Sequence, residues 1–168
     1  MKKKIILSIT FLISISLYSQ KFAYVDTDYI LSKMPEFVQA EEQINKYSQE
    51  WQLEVQNAYA EVENMYKDYQ SEQVLLTEEM KIKREENIIQ KEKDVQNLQQ
   101  KYFGASGDLY KKRQELIKPI QDRIYDAIQQ LAANNKYSII FDSSSDLIML
   151  FSDPNLDKSD AILKIMGY

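Results

Sequence analysis

Residue types that usually carry enzymatic chemistry are scarce in this sequence. It contains no histidine and no cysteine, so the usual general base, the thiol nucleophile and any disulfide are excluded. Two pairs of nearby carboxylates remain, Asp26 with Asp28 and Asp142 with Asp146. Both pairs flank short strand candidates, where turn and helix capping explains acidic residues. We therefore predict no catalytic residue, no metal site, no cofactor and no enzymatic activity.

The N-terminal segment is typical of a secretory signal peptide. Three lysines at positions 2–4 precede an apolar run over residues 5–18, and this run is shorter than the roughly 20 residues of a membrane span. Ser19 suits the residue before a cleavage site, whereas Leu17 is larger than usual there. We predict residues 1–20 as the signal peptide, with cleavage near Ser19 or Gln20; an uncleaved anchor is the alternative.

The charge of the chain argues against nucleic acid as a partner. Removing residues 1–20 takes three lysines from a formal net charge of −5 and leaves −8, whereas phosphate contacts need clustered basic residues. Residues 35–77 hold nine acids and two bases, but residues 78–118 hold ten bases and eight acids. We expect these two segments to attract each other when they fold together.

Residues 35–119 have the heptad pattern of an antiparallel helical hairpin. Its tip is predicted near residues 71–78, where Thr77 followed by two glutamates is typical of a helix N-cap. The apolar rows predict a seam between the two helices. The seam residues are Ile44, Trp51, Val55, Val62, Ile88, Val95, Tyr102 and Leu109.

Three large apolar residues are predicted to point away from this seam. At 100° per residue, Phe103 and Tyr110 lie on the far side of the returning helix, and Leu53 points outward at nearly the same level. They form either a patch that binds a client polypeptide or lone exposed residues of an ordinary kind. Gly104 and Gly107 lie beside them within the predicted helix. Since glycine weakens a helix, they predict a flexible hinge; a local irregularity without a role is the alternative.

Both ends of the mature chain contain short strand candidates. The segment at residues 21–25, the run YSIIFD at 137–142 and the run LIMLF at 147–151 predict about three strands. Pro154 then precedes a last helix, with Ser159 as the predicted N-cap and Gly167 just past its end. Three strands cannot close a core unaided, so oligomerisation is expected. The residues assigned to this body, residues 21–34 and 120–168, include Phe22, Tyr24, Ile139, Phe141, Ile148 and Leu150.

The order of these features resembles the OmpH-like (Skp) family of periplasmic chaperones. The resemblance runs through KFAYVDTDYIL, the heptad hairpin with its turn LLTEEMKIKREE, and the C-terminal block from Pro119 to Ile165. It implies an α+β fold in which a small β body is completed by trimerisation and carries a long antiparallel coiled-coil hairpin from each chain. The lack of a GxxxxGK phosphate loop agrees with the family's independence of ATP.

The resemblance also implies a function and a location. The expected function is an ATP-independent periplasmic holdase, a homotrimer that holds unfolded outer-membrane β-barrel proteins in a cavity between helical arms. No stable membrane insertion is expected after signal removal. The mature chain is acidic, whereas the best-known family members are basic, so we assign no lipopolysaccharide site. The alternative function is a coiled-coil spacer or adaptor of the cell envelope.

Overall fold

The structure, a computed structural model, describes residues 20–145 and 149–168. The predicted signal peptide therefore lies outside the described residues, apart from Gln20. The chain divides into two compact units, residues 34–123 and residues 1–33 with 124–168. We call the first the hairpin unit and the second the α/β unit. The predicted α+β class, a long helical hairpin with a small sheet, is confirmed.

The helices and strands are β1 (Lys21–Val25), α1 (Thr27–Ser32), α2 (Pro35–Glu72), a 3-10 turn (Gln73–Leu75), α3 (Glu78–Phe103), α4 (Asp108–Asn135), β2 (Tyr137–Asp142), a second 3-10 turn (Pro154–Leu156) and α5 (Ser159–Met166). Along the chain, the first and last elements belong to the α/β unit and the middle ones to the hairpin unit, and α4 contributes residues to both. Strand β1 and helix α5, from opposite ends of the chain, thus belong to the same unit.

The sheet of the α/β unit has two parallel strands among the described residues, with Phe22 opposite Ile139 and Tyr24 opposite Phe141. Side chains alternate along a strand, so these four lie on one face and Ala23 and Val25 on the other. Ala23 and Val25 are buried, whereas Phe22, Ile139 and Phe141 are exposed. The sheet therefore has one covered apolar face and one uncovered apolar face.

The predicted third strand is not formed in the part of it that the structure describes. Residues 147 and 148 lie outside the described part of the chain, and Met149–Phe151 is in no strand. Leu150 and Phe151 are 96% and 87% exposed. An apolar strand needs a hydrogen-bonded neighbour and a covered face, and this segment has neither. Beyond β2, the backbone N–H of Lys158 donates to the Tyr24 carbonyl at 2.9 Å and links α5 to β1.

A network of short polar side chains joins the two ends of the chain in the α/β unit. The Asp26 carboxylate accepts from the Tyr29 backbone N–H at 2.9 Å and caps α1, as predicted. The backbone N–H of Asp26 donates to the Ser159 hydroxyl at 2.9 Å. Ser159 is thus not the N-cap of α5, which is Lys158; its hydroxyl instead binds Asp26 and the Asp157 carboxylate, at 2.6 Å from the latter. These hydrogen bonds connect the start of α1 to the start of α5.

The hairpin begins at a proline and turns before a helix-capping threonine. Pro35 occupies the first turn of α2, where a missing N–H has no cost. The Thr77 hydroxyl accepts from the Met80 backbone N–H at 3.3 Å, which confirms Thr77 as the N-cap of α3. Val62, Ile88 and Val95 form a buried cluster between α2 and α3, with Ala58, Met65 and Tyr69 packed against it.

The returning helix is broken where a continuous helix was predicted. Helix α3 ends at Phe103 and α4 begins at Asp108, and the Gly107 N–H donates to the Gly104 carbonyl at 2.8 Å. A Cβ on Gly107 would lie 2.8 Å from the carbonyl oxygens of Lys101 and Tyr102. A Cβ on Gly104 would collide with the Gln100 carbonyl oxygen. The glycines are therefore needed for close backbone approach, and the prediction that they stand on an open helix face was wrong.

Because the helix is broken, the residues around the break do not lie where a continuous helix would place them. Ala105 is exposed, and Gly107 is buried. Pro119 lies inside the continuous α4. Proline removes one helical N–H, and the helix continues on both sides of it.

Candidate functional site

An aromatic stack crosses the hairpin just before the helix break. The Trp51 and Tyr102 rings are parallel within 1°, with centroids 4.8 Å apart. Tyr47 stacks on Trp51 at 5.4 Å, and Phe103 meets the Tyr102 ring edge-on at 6.3 Å. Such pairs add to the free energy of simple area burial, so this level is a well-packed point of the hairpin.

Hydrogen bonds hold the stack in one register. The Tyr102 hydroxyl donates to the Glu54 carboxylate at 2.8 Å, and this bond to an acceptor anion raises the pKa of Tyr102. The Lys112 ammonium lies 5.7 Å from the Tyr47 ring centroid, within reach of a cation–π interaction. One turn further along the hairpin, the Tyr59 hydroxyl donates to Gln99 Oε1 at 2.9 Å.

Two open concavities adjoin this stack and share Phe103 as a wall. The larger, of about 400 Å³, is lined by Gln52, Val55, Gln56, Tyr59, Gln99 and Phe103. The smaller, of about 270 Å³, is lined by Phe103, Gly104, Ala105, Leu109, Tyr110 and Arg113. Both lie wholly within the hairpin unit. We call them the amide groove and the break groove.

The structure brings together two of the three predicted client-binding residues. Phe103 and Tyr110 both line the break groove, whereas Leu53 lines neither concavity. Leu53 and Tyr110 are exposed, and Phe103 is half-buried between the two grooves. Phe103 does not simply point outward as predicted, because the break ends its helix and folds the next turns against it.

The predicted seam residues lie between the helices or at their margins. Six are buried and two, Trp51 and Leu109, are half-buried. The six are Ile44, Val55, Val62, Ile88, Val95 and Tyr102. Ion pairs flank the seam, and each joins an acid of α2 to a base of the returning segment. They are Glu72 with Arg84 at 3.0 Å, Glu61 with Lys91 at 2.7 Å and Glu36 with Arg123 at 2.6 Å.

The residues assigned to a trimer body lie on the uncovered sheet face or beyond it. Phe22, Ile139 and Phe141 are exposed, and Tyr24 is half-buried. Leu150 is exposed, and Ile148 lies outside the described residues. This exposed face is larger than single surface side chains would explain.

Sequence reasoning missed an apolar surface at the hairpin tip. Val74 and Leu75 are each 84% exposed, and Met80 and Ile82 are exposed nearby. The signal was present in the run VLL at residues 74–76, which follows the last seam position and has no helical partner to cover it.

The Asp142 carboxylate is hydrogen-bonded within the α/β unit. Asp142 accepts hydrogen bonds from the Thr27 hydroxyl at 2.7 Å and the Ser144 hydroxyl at 2.8 Å. Partial burial alone would raise the pKa of Asp142, but these bonds and two backbone N–H bonds outweigh burial and lower it. Asp146 lies outside the described residues. Among the residues that the structure covers, no three acidic side chains are grouped as a metal site would require.

The helices of the described ranges differ from membrane-spanning segments. None of the helices there combines the length and the apolar character needed to cross a bilayer. The long helices carry charges throughout, as solvated hairpin faces do.

Comparison with known proteins places this architecture in a family. A family profile described as "Outer membrane protein (OmpH-like)" matches residues 21–166. The chain belongs to the OmpH-like family. The match begins where the predicted signal peptide ends and covers both units of the fold.

A solved structure of an OmpH-like protein shares the fold. It is a candidate outer membrane chaperone from Caulobacter crescentus CB15, 12% identical in sequence, with a TM-score of 0.68. The alignment covers 86% of this chain and 82% of that one. Identity this low with a similar backbone shows that the OmpH-like fold is kept while most side chains differ. No curated protein matches this sequence.

Proposed function

We propose that this protein is a periplasmic chaperone that binds unfolded outer-membrane β-barrel proteins and prevents their aggregation without ATP. The observation that carries the proposal is membership of the OmpH-like family over residues 21–166. Secretion by the predicted signal peptide would place the mature chain where unfolded barrel proteins cross the cell envelope.

The surface of the hairpin unit supports this proposal. Exposed apolar side chains are spread along it, among them Leu53, Tyr66, Ile89 and Tyr110, and they are separated by charged residues. Many weak apolar contacts can hold a non-native chain, while the charges keep the complex soluble. The mature net charge of −8, after loss of three lysines from −5, strengthens the second effect.

A homotrimer is part of the proposal. The uncovered face with Phe22, Ile139 and Phe141 supports association, because one chain's sheet of two described strands leaves these side chains in water. Burial of such side chains stabilises an assembly by roughly 25 cal/mol per Å² of apolar surface.

The test uses the mature protein and a urea-unfolded outer-membrane β-barrel protein. Native mass spectrometry is expected to show a trimer, and light scattering after dilution of the urea is expected to show suppressed aggregation with or without ATP. A monomer that leaves aggregation unchanged would overturn the proposal.

Variants can then locate the binding surface on the hairpin. Replacing Leu53, Phe103 and Tyr110 together by serine is expected to weaken suppression more than any single replacement does. The exposed Val38 on the same hairpin provides a control through Val38→Ser. Equal effects of the triple variant and the control would remove these three residues from the site.

A coiled-coil spacer or adaptor is the second candidate, and the exposed tip favours it. Val74 and Leu75 at the end of the hairpin suit contact with one folded partner. A spacer is expected to bind that partner saturably and to show no preference for unfolded chains, so the aggregation assay separates the two functions.

A further inference from the structure

The hairpin contains one level at which both of its helices lack charge. Residues 55–60, VQNAYA, and residues 95–100, VQNLQQ, contain no aspartate, glutamate, lysine or arginine in a chain that is 28% charged. The two segments face each other, because the Tyr59 hydroxyl of one donates to Gln99 Oε1 of the other at 2.9 Å. Elsewhere along the described hairpin, ion pairs join the helices on both sides of this level.

The amide groove is built from this uncharged level. Its floor is apolar, with Val55 buried and Phe103 half-buried, and its rim holds the amides of Gln52, Gln56 and Gln99. A primary amide both donates and accepts hydrogen bonds, as a polypeptide backbone does. The Tyr59 hydroxyl holds the Gln99 amide in place. No lysine, arginine or carboxylate lines this groove, so nothing in it selects a charged ligand.

The break groove continues this surface on the other side of Phe103. Leu109 and Tyr110 supply apolar walls, and Arg113 is the charged residue that lines it. The uncharged lining is therefore a property of the amide groove. Two neighbouring concavities divided by one aromatic ring can each accept a large apolar side chain. In an extended chain, side chains two residues apart lie on the same face, about 6.6 to 6.8 Å apart.

We propose that the amide groove and the break groove together bind an extended, uncharged segment of non-native polypeptide, with alternate apolar side chains in the two concavities. The glutamine amides pair with the backbone of that segment, and Phe103 separates the two side chains. Strands of membrane β-barrels alternate apolar and polar residues in this way. The inference rests on the proposed chaperone function and assigns to it a specific recognition site.

Trp51 provides a direct readout of this site. It is the chain's only tryptophan, and it stacks on Tyr102, whose ring contacts Phe103. The probe is a nine-residue peptide that alternates leucine with serine, with acetylated and amidated ends and no aromatic residue. Titration into the mature protein is expected to change the Trp51 emission saturably. A peptide that alternates leucine with glutamate is expected to bind at least tenfold more weakly.

Charge placed in the groove is the decisive perturbation. Gln56→Glu and Gln99→Glu are each expected to raise the Kd of the leucine–serine peptide about tenfold, or about 1.4 kcal/mol, because the bound peptide must desolvate a carboxylate. Gln43→Glu, an exposed glutamine of α2 outside both grooves, adds the same charge and is expected to leave the Kd unchanged. Thermal unfolding followed by circular dichroism checks that all three variants fold.

The outcomes separate this inference from the proposed function. If the wild type suppresses aggregation but the two groove variants bind the peptide as tightly as Gln43→Glu, the groove assignment is wrong and the chaperone proposal stands. If the wild type neither suppresses aggregation nor binds the peptide, both fail. A Trp51 change that depends on protein concentration without peptide would assign the groove to a second copy of this chain and overturn the inference.

Discussion

The α/β unit and the hairpin unit are stabilised in different ways. In the α/β unit, polar side chains near residue 26 bind partners more than 110 positions away, as in the contacts of Asp26 with Ser159 and Thr27 with Asp142. In the hairpin unit, the contacts repeat along the two helices, with one small apolar cluster, one aromatic stack and several ion pairs.

This difference predicts how well each unit tolerates amino-acid substitutions. A surface ion pair contributes about 0 to 1 kcal/mol, so the hairpin distributes its stability over many replaceable contacts. The α/β unit concentrates it in a few residues shared between distant segments, and loss of one leaves several partners unsatisfied.

The largest effect is expected from the core of the α/β unit. Ile162 on α5 is 0% exposed, and Ile162→Ala is expected to lower the free energy of unfolding by about 3 kcal/mol through lost burial and a residual cavity. Urea unfolding followed by circular dichroism measures it. Ile165→Ala, at an exposed position on the same helix, is the control and should cost under about 1 kcal/mol. Equal costs for the two variants would contradict the burial of Ile162 and the exposure of Ile165.

The helix break is a point at which the hairpin is expected to be intolerant of added side-chain atoms. Gly104→Ala places a Cβ against the Gln100 carbonyl oxygen, and Gly107→Ala places one 2.8 Å from two carbonyls, so each is expected to cost about 2 kcal/mol by overpacking. Trp51 fluorescence in urea reports the loss. Ser106→Ala, an exposed position in the same turn, should be nearly neutral.

Hydrogen exchange over residues 98–112 tests whether the break is also a hinge. A hinge predicts faster exchange at residues 104–107 than in α3 before it. Uniform slow exchange through this range would show a rigid turn and remove the hinge hypothesis, while the close-approach explanation for the glycines would stand on the alanine variants.

The polar network of the α/β unit is expected to give a pH-dependent effect. Since hydrogen bonds lower the folded-state pKa of Asp142 below its ordinary 3.8, folding favours the carboxylate. Its contribution is present at neutral pH and is lost as the pH falls below about 4 toward the lowered folded-state pKa. Asp142→Asn is expected to cost about 1 kcal/mol at pH 7 and progressively less as the pH falls below about 4. A pH-independent difference would contradict this account.

The smallest effect is expected from an ion pair of the hairpin. Lys91→Ala removes the 2.7 Å contact with Glu61 and is expected to cost at most about 0.5 kcal/mol, falling further in 1 M salt because both side chains are partly exposed. Parallel urea titrations at low and high salt measure it. A cost near that of Ile162→Ala would contradict the proposed difference in how the two units are stabilised.

Local features of the fold followed well from the sequence. Thr77 caps α3 as its neighbours predicted, and Asp26 has the capping role expected of an acidic residue beside a strand. Opposite charge on the two helices appears as ion pairs between acids of α2 and bases of the returning segment. These features depend on residues a few positions apart or on a regular repeat, so one sequence is enough to predict them.

Features that depend on distant partners did not follow. The Ser159 hydroxyl was predicted to cap its own helix but binds Asp26 and Asp157 instead. Phe103 was assigned to an outward face from its angle to the seam, but it is half-buried and lines both grooves. In each case the residue type was informative, but the group that it contacts comes from a segment whose position the local pattern does not determine.

The sequence by itself determined the hairpin, its tip, its heptad rows and the small strands at both chain ends, because helical and strand periodicity is encoded along the chain. Only the tertiary structure decided that β1 pairs in parallel with β2, that the helix breaks at Gly104–Gly107, and that uncharged glutamines meet around Phe103. Strand pairing, backbone approach and groove lining depend on which atoms from separate segments come within a few ångströms of each other, and that is set by packing.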